Sequence, residues 1–354
     1  MKLHQVLQPA IITLQILGLN FGKLSKIKIL HTITSLIMCL AVTFYYWKNR
    51  KVGFGFVLSK VVFLAAVTRS LGTIVVMIMV LALNYSGYFD KIVHLTQKID
   101  NFDNEFEDIV SLNQKHKKMI LVLLVIVNLG LNGLIDWYTV CLVPLNPYQF
   151  FLAVQYPRIV VSTFNIVFYM YTLILEERFK LINLIIKQEE FFSPKIKRMV
   201  LLHKTLVRVA KSLNQVFAPQ LLLWVLLGVM VVTVDLHVFF FTLFNKLLGQ
   251  YPVGIVGVKN ASLFIFDLIF LSFRCTKLCK EANKTAFLWY HIKIDREDEE
   301  ARDDFIKLGI KLSNDKLEIT ACRLFKIDNS LILDMFGSVT SYLFIMLQFD
   351  EIIT

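Results

Sequence analysis

The stretch CRLFKIDNSLILDMFGSVTSYLFIMLQF, residues Cys322 to Phe349, decides the fold of this chain. Its last part, Leu331–Phe349, is about as long as the roughly 20 apolar residues that a helix needs to cross a bilayer. It nevertheless keeps an amide, Gln348, and an amide in lipid is costly unless it faces protein or water. The stretch therefore predicts a membrane helix with one face that does not meet lipid.

The composition predicts that this helix belongs to a polytopic membrane protein. Of the 354 residues, 56% are hydrophobic and 18% are charged, whereas soluble domains carry about 25% charged residues. The net charge of +11 does not indicate a nucleic-acid partner, because the basic residues lie between apolar runs without a finger or basic-zipper pattern. We expect no enzyme, because nucleophile elbows, phosphate loops and zinc-ligand spacings are absent from the sequence. Cys275 and Cys279 lack the His or acid that would complete a metal site, so no metal or cofactor is expected.

Seven segments are long and apolar enough to span a bilayer, so the sequence predicts an all-α membrane protein with seven transmembrane helices. Basic residues concentrate in the N-terminal segment and in the links after spans two, four and six, apart from one contrary cluster at Lys48–Lys51. By the positive-inside rule, the N-terminus is cytoplasmic and the C-terminus extracellular. The seven segments are Ile29–Trp47, Val61–Leu83, Met119–Val143, Phe150–Leu175, Val216–Phe244, Val256–Phe273 and Leu331–Phe349.

This topology divides the chain into four regions. Residues 1–28 form a cytoplasmic N-terminal segment, and residues 29–273 hold spans one to six. Residues 274–328 form a cytoplasmic link, and residues 329–354 hold span seven and an extracellular C-terminus. An inward N-terminus argues against a G-protein-coupled receptor, whose N-terminus lies outside.

Polar residues recur at helical spacing inside the predicted spans. Span three carries Asn128, Asn132 and Asp136 on one face, because they are four residues apart. Span four carries a second stripe, spaced three or four residues apart, of Gln155, Arg158, Ser162, Asn165 and Tyr169.

The outer members of these stripes form a candidate ligand pocket with aromatic walls and a few polar anchors. The alternative is that the same residues hold the helices together, with Arg158 paired to Asp136 or Asp235. Asp267 of span six and Arg69 of span two are interpreted as a second buried pair or as water-facing groups, not as ligand contacts. The candidate pocket residues are Asn132, Asp136, Trp137, Tyr138, Gln155, Tyr156, Arg158, Ser162, Asp235 and His237.

Three short motifs lie in the last link and in span seven. They are Glu281-Ala282-Asn283 followed by His291, then Cys322-Arg323-Leu324-Phe325 followed by Asp328, and finally Ser341-Tyr342, five hydrophobic residues and Gln348-Phe349. In this order the motifs resemble those of the insect gustatory receptor family, within the insect chemosensory receptor superfamily of seven-transmembrane ligand-gated cation channels. Two positions depart from the family pattern, because Ser341 replaces a threonine and Arg323 replaces a glycine.

The resemblance implies a homo- or hetero-tetramer with other gustatory receptors, in which the last span lines one central pore for cations. An amide ring and bulky apolar rings would narrow and dewet this pore, and acidic rings outside would concentrate cations. Cytoplasmic extensions of the later spans would form the main subunit contact, and the pattern EERFKLINLIIKQEE (176–190) suits either such an extension or an interfacial helix. The pore and gate residues would be Ser341, Tyr342, Phe344, Ile345, Gln348, Phe349, Asp350 and Glu351.

The resemblance also implies a taste function in the plasma membrane of chemosensory neurons. The ligand would be a small-molecule tastant. Leu343 stands where sugar-sensing members carry an acid, which favours a bitter or other non-sugar compound. The alternatives are an odorant receptor of the same superfamily and a secondary transporter, since intramembrane charges also mark transport pathways.

Overall fold

The computed structural model describes residues 88–104, 156–244, 251–294 and 299–353, together with isolated helical positions at Ile37, Val75, Ile78 and Gly130. Predicted spans one to three therefore lie outside the continuous described ranges. The described part is helical apart from connections, one isolated bridge and one short hairpin, which confirms the all-α prediction. The elements are α1 (Tyr88–Asn104), α2 (Tyr156–Gln188), α3 (Pro194–Phe244), α4 (Tyr251–Trp289), α5 (Glu299–Asn314), β1 (Thr320–Ala321), β2 (Phe325–Lys326) and α6 (Ser330–Ile353).

Helices α2, α3 and α4 run well past one end of the predicted spans that they overlap. The 51 residues of α3 would extend for about 77 Å, more than twice the thickness of a bilayer's hydrocarbon core. α2 continues beyond Leu175 to Gln188, and α4 continues beyond Phe273 to Trp289. The three extensions lie on the side that the charge pattern assigns to the cytoplasm. Within the described residues, α3 and the 330–348 part of α6 are long and apolar enough to cross a membrane.

The hydrophobic core lies where α3 packs against α2, α4 and α6. Phe164 and Phe168 of α2 pack on Phe217 of α3, with ring centroids 4.8 and 5.1 Å apart. The backbones of α3 and α4 approach closely at Gly257, where an added Cβ would lie 2.8 Å from the carbonyl oxygen of Asp235. A side chain at this position would force the two helices apart.

The β1–β2 hairpin turns through two residues in the left-handed backbone region. Cys322 and Arg323 have φ values of 51° and 63°, and the Leu324 N–H donates to the Ala321 carbonyl at 2.9 Å. This geometry is that of a type I′ turn, in which both central residues require a positive φ. A Cβ atom is strained there and glycine is not, which gives a physical reason for the glycine that the resembling family carries in place of Arg323.

Helix α6 starts at a cap that Asp328 provides. The Asp328 carboxylate accepts hydrogen bonds from the Ser330 backbone N–H at 2.9 Å and from the Ser330 hydroxyl at 2.6 Å. Side-chain caps satisfy N–H groups that the first turn of a helix leaves unpaired. The carboxylate also lies at the positive end of the helix dipole, and its hydrogen bonds to Ser330 lower the pKa of Asp328.

We expect Arg323→Gly to stabilise the protein by about 1 kcal/mol, because glycine adopts the left-handed turn without the Cβ clash. The measurement is thermal unfolding of the purified protein in detergent, with a rise in the midpoint as the expected result. Leu324→Gly is the matched control, since Leu324 is also exposed in the same turn but has no positive φ. A rise of the same size in both variants would contradict the strain argument.

Candidate functional site

Helix α6 is packed on one side and exposed on the other. Leu331 and Val339 are buried against the core, whereas 75% of Leu333 and 63% of Phe344 is exposed. Two of its hydroxyls bond within the helix, because Ser341 Oγ donates to the Gly337 carbonyl at 2.9 Å and Thr340 Oγ1 donates to the Phe336 carbonyl at 2.8 Å. The exposed face therefore presents apolar groups together with serine and threonine hydroxyls that already have a partner.

The residues predicted to form a pore lie on α6. Ser341, Phe344 and Gln348 are exposed and share one face, since they are three and four residues apart. Tyr342 and Ile345 are also exposed, but Tyr342 lies about a third of a turn from that face. The side chains of Phe349, Asp350 and Glu351 lie outside the described residues. The assignment of these residues to a pore stays a prediction.

An apolar crevice separates α6 from α3 and α4. Its volume of about 20 Å³ is far below the roughly 300–1,000 Å³ of small-molecule pockets. In the described conformation it is therefore too small for a tastant. The lining residues are Val232, Ile265, Leu268, Ile269, Ile332, Met335, Phe336 and Val339.

A polar cluster around the half-buried Asp267 joins α2, α3 and α4 within the predicted spans. The Asp267 carboxylate accepts hydrogen bonds from the Tyr169 hydroxyl at 2.7 Å and from Trp224 Nε1 at 2.8 Å. Asn165 Nδ2 lies 3.4 Å from the same carboxylate, and Gln220 Nε2 donates to Asn165 Oδ1. In the topology inferred from charge, the cluster lies in the inner half of the bundle.

The cluster accounts for the inner part of the polar stripe on span four. Its inner members, Asn165 and Tyr169, contact Asp267, so this part of the stripe holds helices together. Sequence reasoning missed Gln220 and Trp224 as partners, although two such residues one turn apart in an apolar run are a usable signal. The predicted partner Arg69 lies outside the described residues.

The candidate ligand pocket is described only in part. Asp235 and His237 are buried in α3, and the His237 ring stacks near Phe241 with centroids 6.3 Å apart. Ser162 is half-buried in α2. Tyr156 and Arg158 belong to the first turn of α2, but their side chains lie outside the described set. Asn132, Asp136, Trp137, Tyr138 and Gln155 lie outside the described residues, so the pocket stays a prediction.

The Glu-Ala-Asn motif of α4 forms hydrogen bonds with the neighbouring cytoplasmic segments. Asn183 Nδ2 of α2 donates to the Glu281 carbonyl at 2.9 Å, and His203 Nε2 of α3 contacts the Ala282 carbonyl at 2.9 Å. Asn283 Nδ2 donates to the Leu317 carbonyl at 3.0 Å, and its Oδ1 accepts from the Leu317 N–H at 2.8 Å. The motif thus ties α2, α3 and the segment before β1 to α4.

Ion pairs lie where the spans meet the cytoplasmic extensions. Arg178 of α2 donates through Nε to Asp103 of α1 at 2.9 Å. Arg274 of α4 donates to Glu176 of α2 at 2.6 Å. Burial favours a higher pKa for Glu176, but its hydrogen bonds and charge interactions with Lys180 and Arg274 outweigh burial and lower that pKa. Glu176 therefore stays ionised at neutral pH.

The described part of the molecule is a helical bundle with two helices of membrane length, and comparison with known proteins identifies its family. Residues 7–353 match the 7tm chemosensory receptor family. The chain belongs to this family. It is similar over 98% of its length to the insect olfactory receptor OR5 from Machilis hrabei, solved alone and in complex with eugenol, with TM-scores of 0.65 and 0.64 and sequence identities of 13% and 12%. The match covers 98% of the olfactory receptor chain as well.

Three Drosophila melanogaster receptors are similar to a smaller part of the chain. The gustatory receptor for bitter taste 66a is 22% identical over 44% of this chain and 30% of its own length. The putative gustatory receptors 28b and 28a are 22% and 25% identical, each over 44% of this chain and over 34% and 35% of their own lengths. The matched part spans about a third of these curated relatives. The resemblance to insect gustatory receptors is thereby confirmed at the level of the family.

We expect Asp267→Asn to lower stability by about 2 kcal/mol, because an amide replaces a carboxylate that accepts from several donors. Tyr169→Phe is the matched variant, since it removes a single donor, and it should cost about 1 kcal/mol. Thermal unfolding in detergent measures both. Full stability of Asp267→Asn together with an altered ligand response would show that the carboxylate faces a ligand pathway instead.

We expect acid to destabilise the cytoplasmic contact at His203. Burial lowers the pKa of His203 below its ordinary value, although the Ala282 carbonyl works in the opposite direction. The unfolded chain then binds the proton more readily, so the stabilisation is present above about pH 6.5 and is lost as pH falls through the lowered pKa. His203→Gln should reduce the pH dependence of the thermal unfolding midpoint between about pH 7 and 5. The same substitution at the exposed His291 should leave that dependence unchanged. Equal slopes in all three proteins would contradict this assignment.

Proposed function

We propose that the protein is a gustatory receptor that works as a ligand-gated, non-selective cation channel, with α6 as the pore-lining helix. The observation that carries the proposal is the half-packed state of α6, a membrane-length helix with one face left uncovered in the single chain. A membrane helix with internally satisfied hydroxyls and a terminal amide suits a narrow pore between copies of the chain. Four copies around one axis would turn Gln348 into an amide ring.

The cytoplasmic surface supports assembly of several chains. Phe287 near the end of α4, Tyr290 just after it and Ile310 on α5 are 64%, 70% and 57% exposed, outside the predicted spans. Large apolar side chains that face water mark interaction surfaces. We assign these residues to the subunit contact of a homo- or hetero-tetramer.

The ligand proposed for the channel is a bitter or other non-sugar tastant. Leu343, where an acid would suggest sugar, and the partial likeness to a bitter-taste receptor both support this class. The tastant would enter from the extracellular side between spans three, four and five, at the pocket that includes Asp235 and His237. We place the channel in the plasma membrane of chemosensory neurons.

An odorant receptor of the same superfamily is the second candidate function. The likeness of the whole fold to an insect olfactory receptor favours it. The Gln348-Phe349 ending favours the gustatory branch. Calcium imaging of cells that express the chain, with panels of non-volatile bitter compounds and of volatile odorants, separates the two and supplies an agonist.

The pore assignment is tested with single cysteines in a Cys322→Ser background, which removes the thiol that is exposed among the three described cysteines. We expect a cationic methanethiosulfonate reagent to reduce agonist-evoked current by more than about half in Phe344→Cys and Gln348→Cys, because a fixed charge in a narrow pore repels cations. Patch-clamp recording gives the current before and after modification.

Leu343→Cys is the matched control, since Leu343 lies on the packed side of the same helical turn as Phe344. Its current should not change. Unchanged currents in Phe344→Cys and Gln348→Cys, with surface protein present and labelled, would remove this face of α6 from the pore.

A further inference from the structure

Four charged side chains meet where α2 and α4 leave the predicted spans. Glu176 is buried, with 2% of its side chain exposed, and it receives Arg274 at 2.6 Å on Oε2. Lys180 Nζ lies 2.5 Å from Oε1, and Lys277 Nζ lies 3.6 Å from the same oxygen. One carboxylate therefore serves three cations.

The cluster keeps a positive excess after this pairing. Three cations less one carboxylate leave a formal charge of +2 on these side chains. The side chains of Lys180 and Lys277 are 42% and 43% exposed. The next acid along α4, Glu281, lies 3.5 Å from Asn183 Nδ2 of α2. The two partly exposed lysines are therefore a candidate anion site.

The cluster lies at the edge of the apolar layer. Glu176 directly follows Leu175 at the end of predicted span four, and Arg274 directly follows Phe273 at the end of predicted span six. Lys277 Nζ lies 5.6 Å from the centroid of the Phe273 ring, which is itself half exposed. An anion bound here would meet apolar surface on its membrane side and water on the other.

An apolar face runs along α4 from Lys277 towards the predicted membrane layer. Ile269, Phe273 and Lys277 are four residues apart and share one side of the helix over about 12 Å. Ile269 is 41% exposed and also lines the crevice against α6. We call Ile269, Phe273 and Lys277 the α4 lipid face. Its chemistry changes from apolar to cationic in the same direction as a phospholipid changes from acyl chain to phosphate.

We propose that the α4 lipid face, with Lys180, binds an anionic phospholipid of the cytoplasmic leaflet. The two lysine amines hold the headgroup phosphate, and an acyl chain covers Phe273 and Ile269 and reaches the edge of the crevice at α6. Juxtamembrane lysines attract anionic lipids, and Glu176 holds Lys180 in place for this role. The lipid thereby contacts the surroundings of α6 without entering the extracellular pocket.

The test is lipid binding to the full chain purified in detergent, measured by native mass spectrometry with dioleoyl phosphatidylserine and dioleoyl phosphatidylcholine. We expect the wild type to prefer phosphatidylserine. Lys180→Gln with Lys277→Gln should weaken phosphatidylserine binding roughly 30-fold, since each lysine contributes about 1 kcal/mol and 1.4 kcal/mol is tenfold. Phosphatidylcholine binding should change little. Lys277→Gln alone should weaken phosphatidylserine binding several-fold. This variant keeps the two shortest ion pairs of Glu176, with Lys180 and Arg274, so it should not disturb the fold.

Lys187→Gln with Lys284→Gln is the matched control. These exposed lysines lie two turns further from the predicted spans on the same sides of α2 and α4, so they carry equal charge away from the edge of the apolar layer. An equal loss in the control, or equal binding of the two lipids by the wild type, would overturn the proposal. Glycerophosphoserine, which has the headgroup but no acyl chains, is the competitor. If glycerophosphoserine displaced phosphatidylserine at an equal concentration, the site would bind the phosphate headgroup without help from the acyl chains. That result would overturn the role proposed for the apolar face.

Discussion

Helix α3 contacts α1, α2, α4, α6 and β1, and it runs without interruption from the predicted membrane layer into the cytoplasmic part. α3 approaches α4 closely at Gly257, and the two helices are also in contact at Trp224 with Asp267 and at His203 with Ala282. The Asp267 cluster and the His203 contact are two levels of this one packing interface. Pro219 lies in α3 between the two levels, where a proline removes one backbone hydrogen bond of the helix.

The family motifs of the last link have structural roles in the described part of the chain. Asn283 bonds the segment before β1, the left-handed turn at Cys322–Arg323 reverses the chain, and Asp328 caps α6. Thr276 of α4 adds a contact to the Asn329 N–H at 3.1 Å. Together these contacts fix where α6 begins relative to α4. The position and direction of α6 therefore depend on polar contacts in the link, whereas α6 itself is held by apolar packing on one side only.

The carboxylates inside the predicted spans and at their cytoplasmic edge have different kinds of partner. Asp267, in the predicted spans, accepts hydrogen bonds from neutral donors, namely hydroxyl, indole and amide groups. At the edge of the layer, Glu176 is compensated by full cations instead. Lys180 and Lys277 remain partly accessible to water and headgroups at that edge. This difference separates a structural cluster in the bundle from a cationic surface at its cytoplasmic boundary.

The sequence by itself determined the helical membrane class, the helices around Val216–Phe244 and Leu331–Phe349, and the family, because apolar length and motif order are local properties. It also placed Asn165 and Tyr169 on one face, because helical periodicity does so. It did not give the partner of that face, since Asp267 lies 102 residues from Asn165 and 43 from Trp224 along the chain. The strain at Arg323 and the lysines around Glu176 were likewise hidden. Backbone dihedrals and contacts between distant segments are set by how the helices pack, and only the tertiary structure decided them.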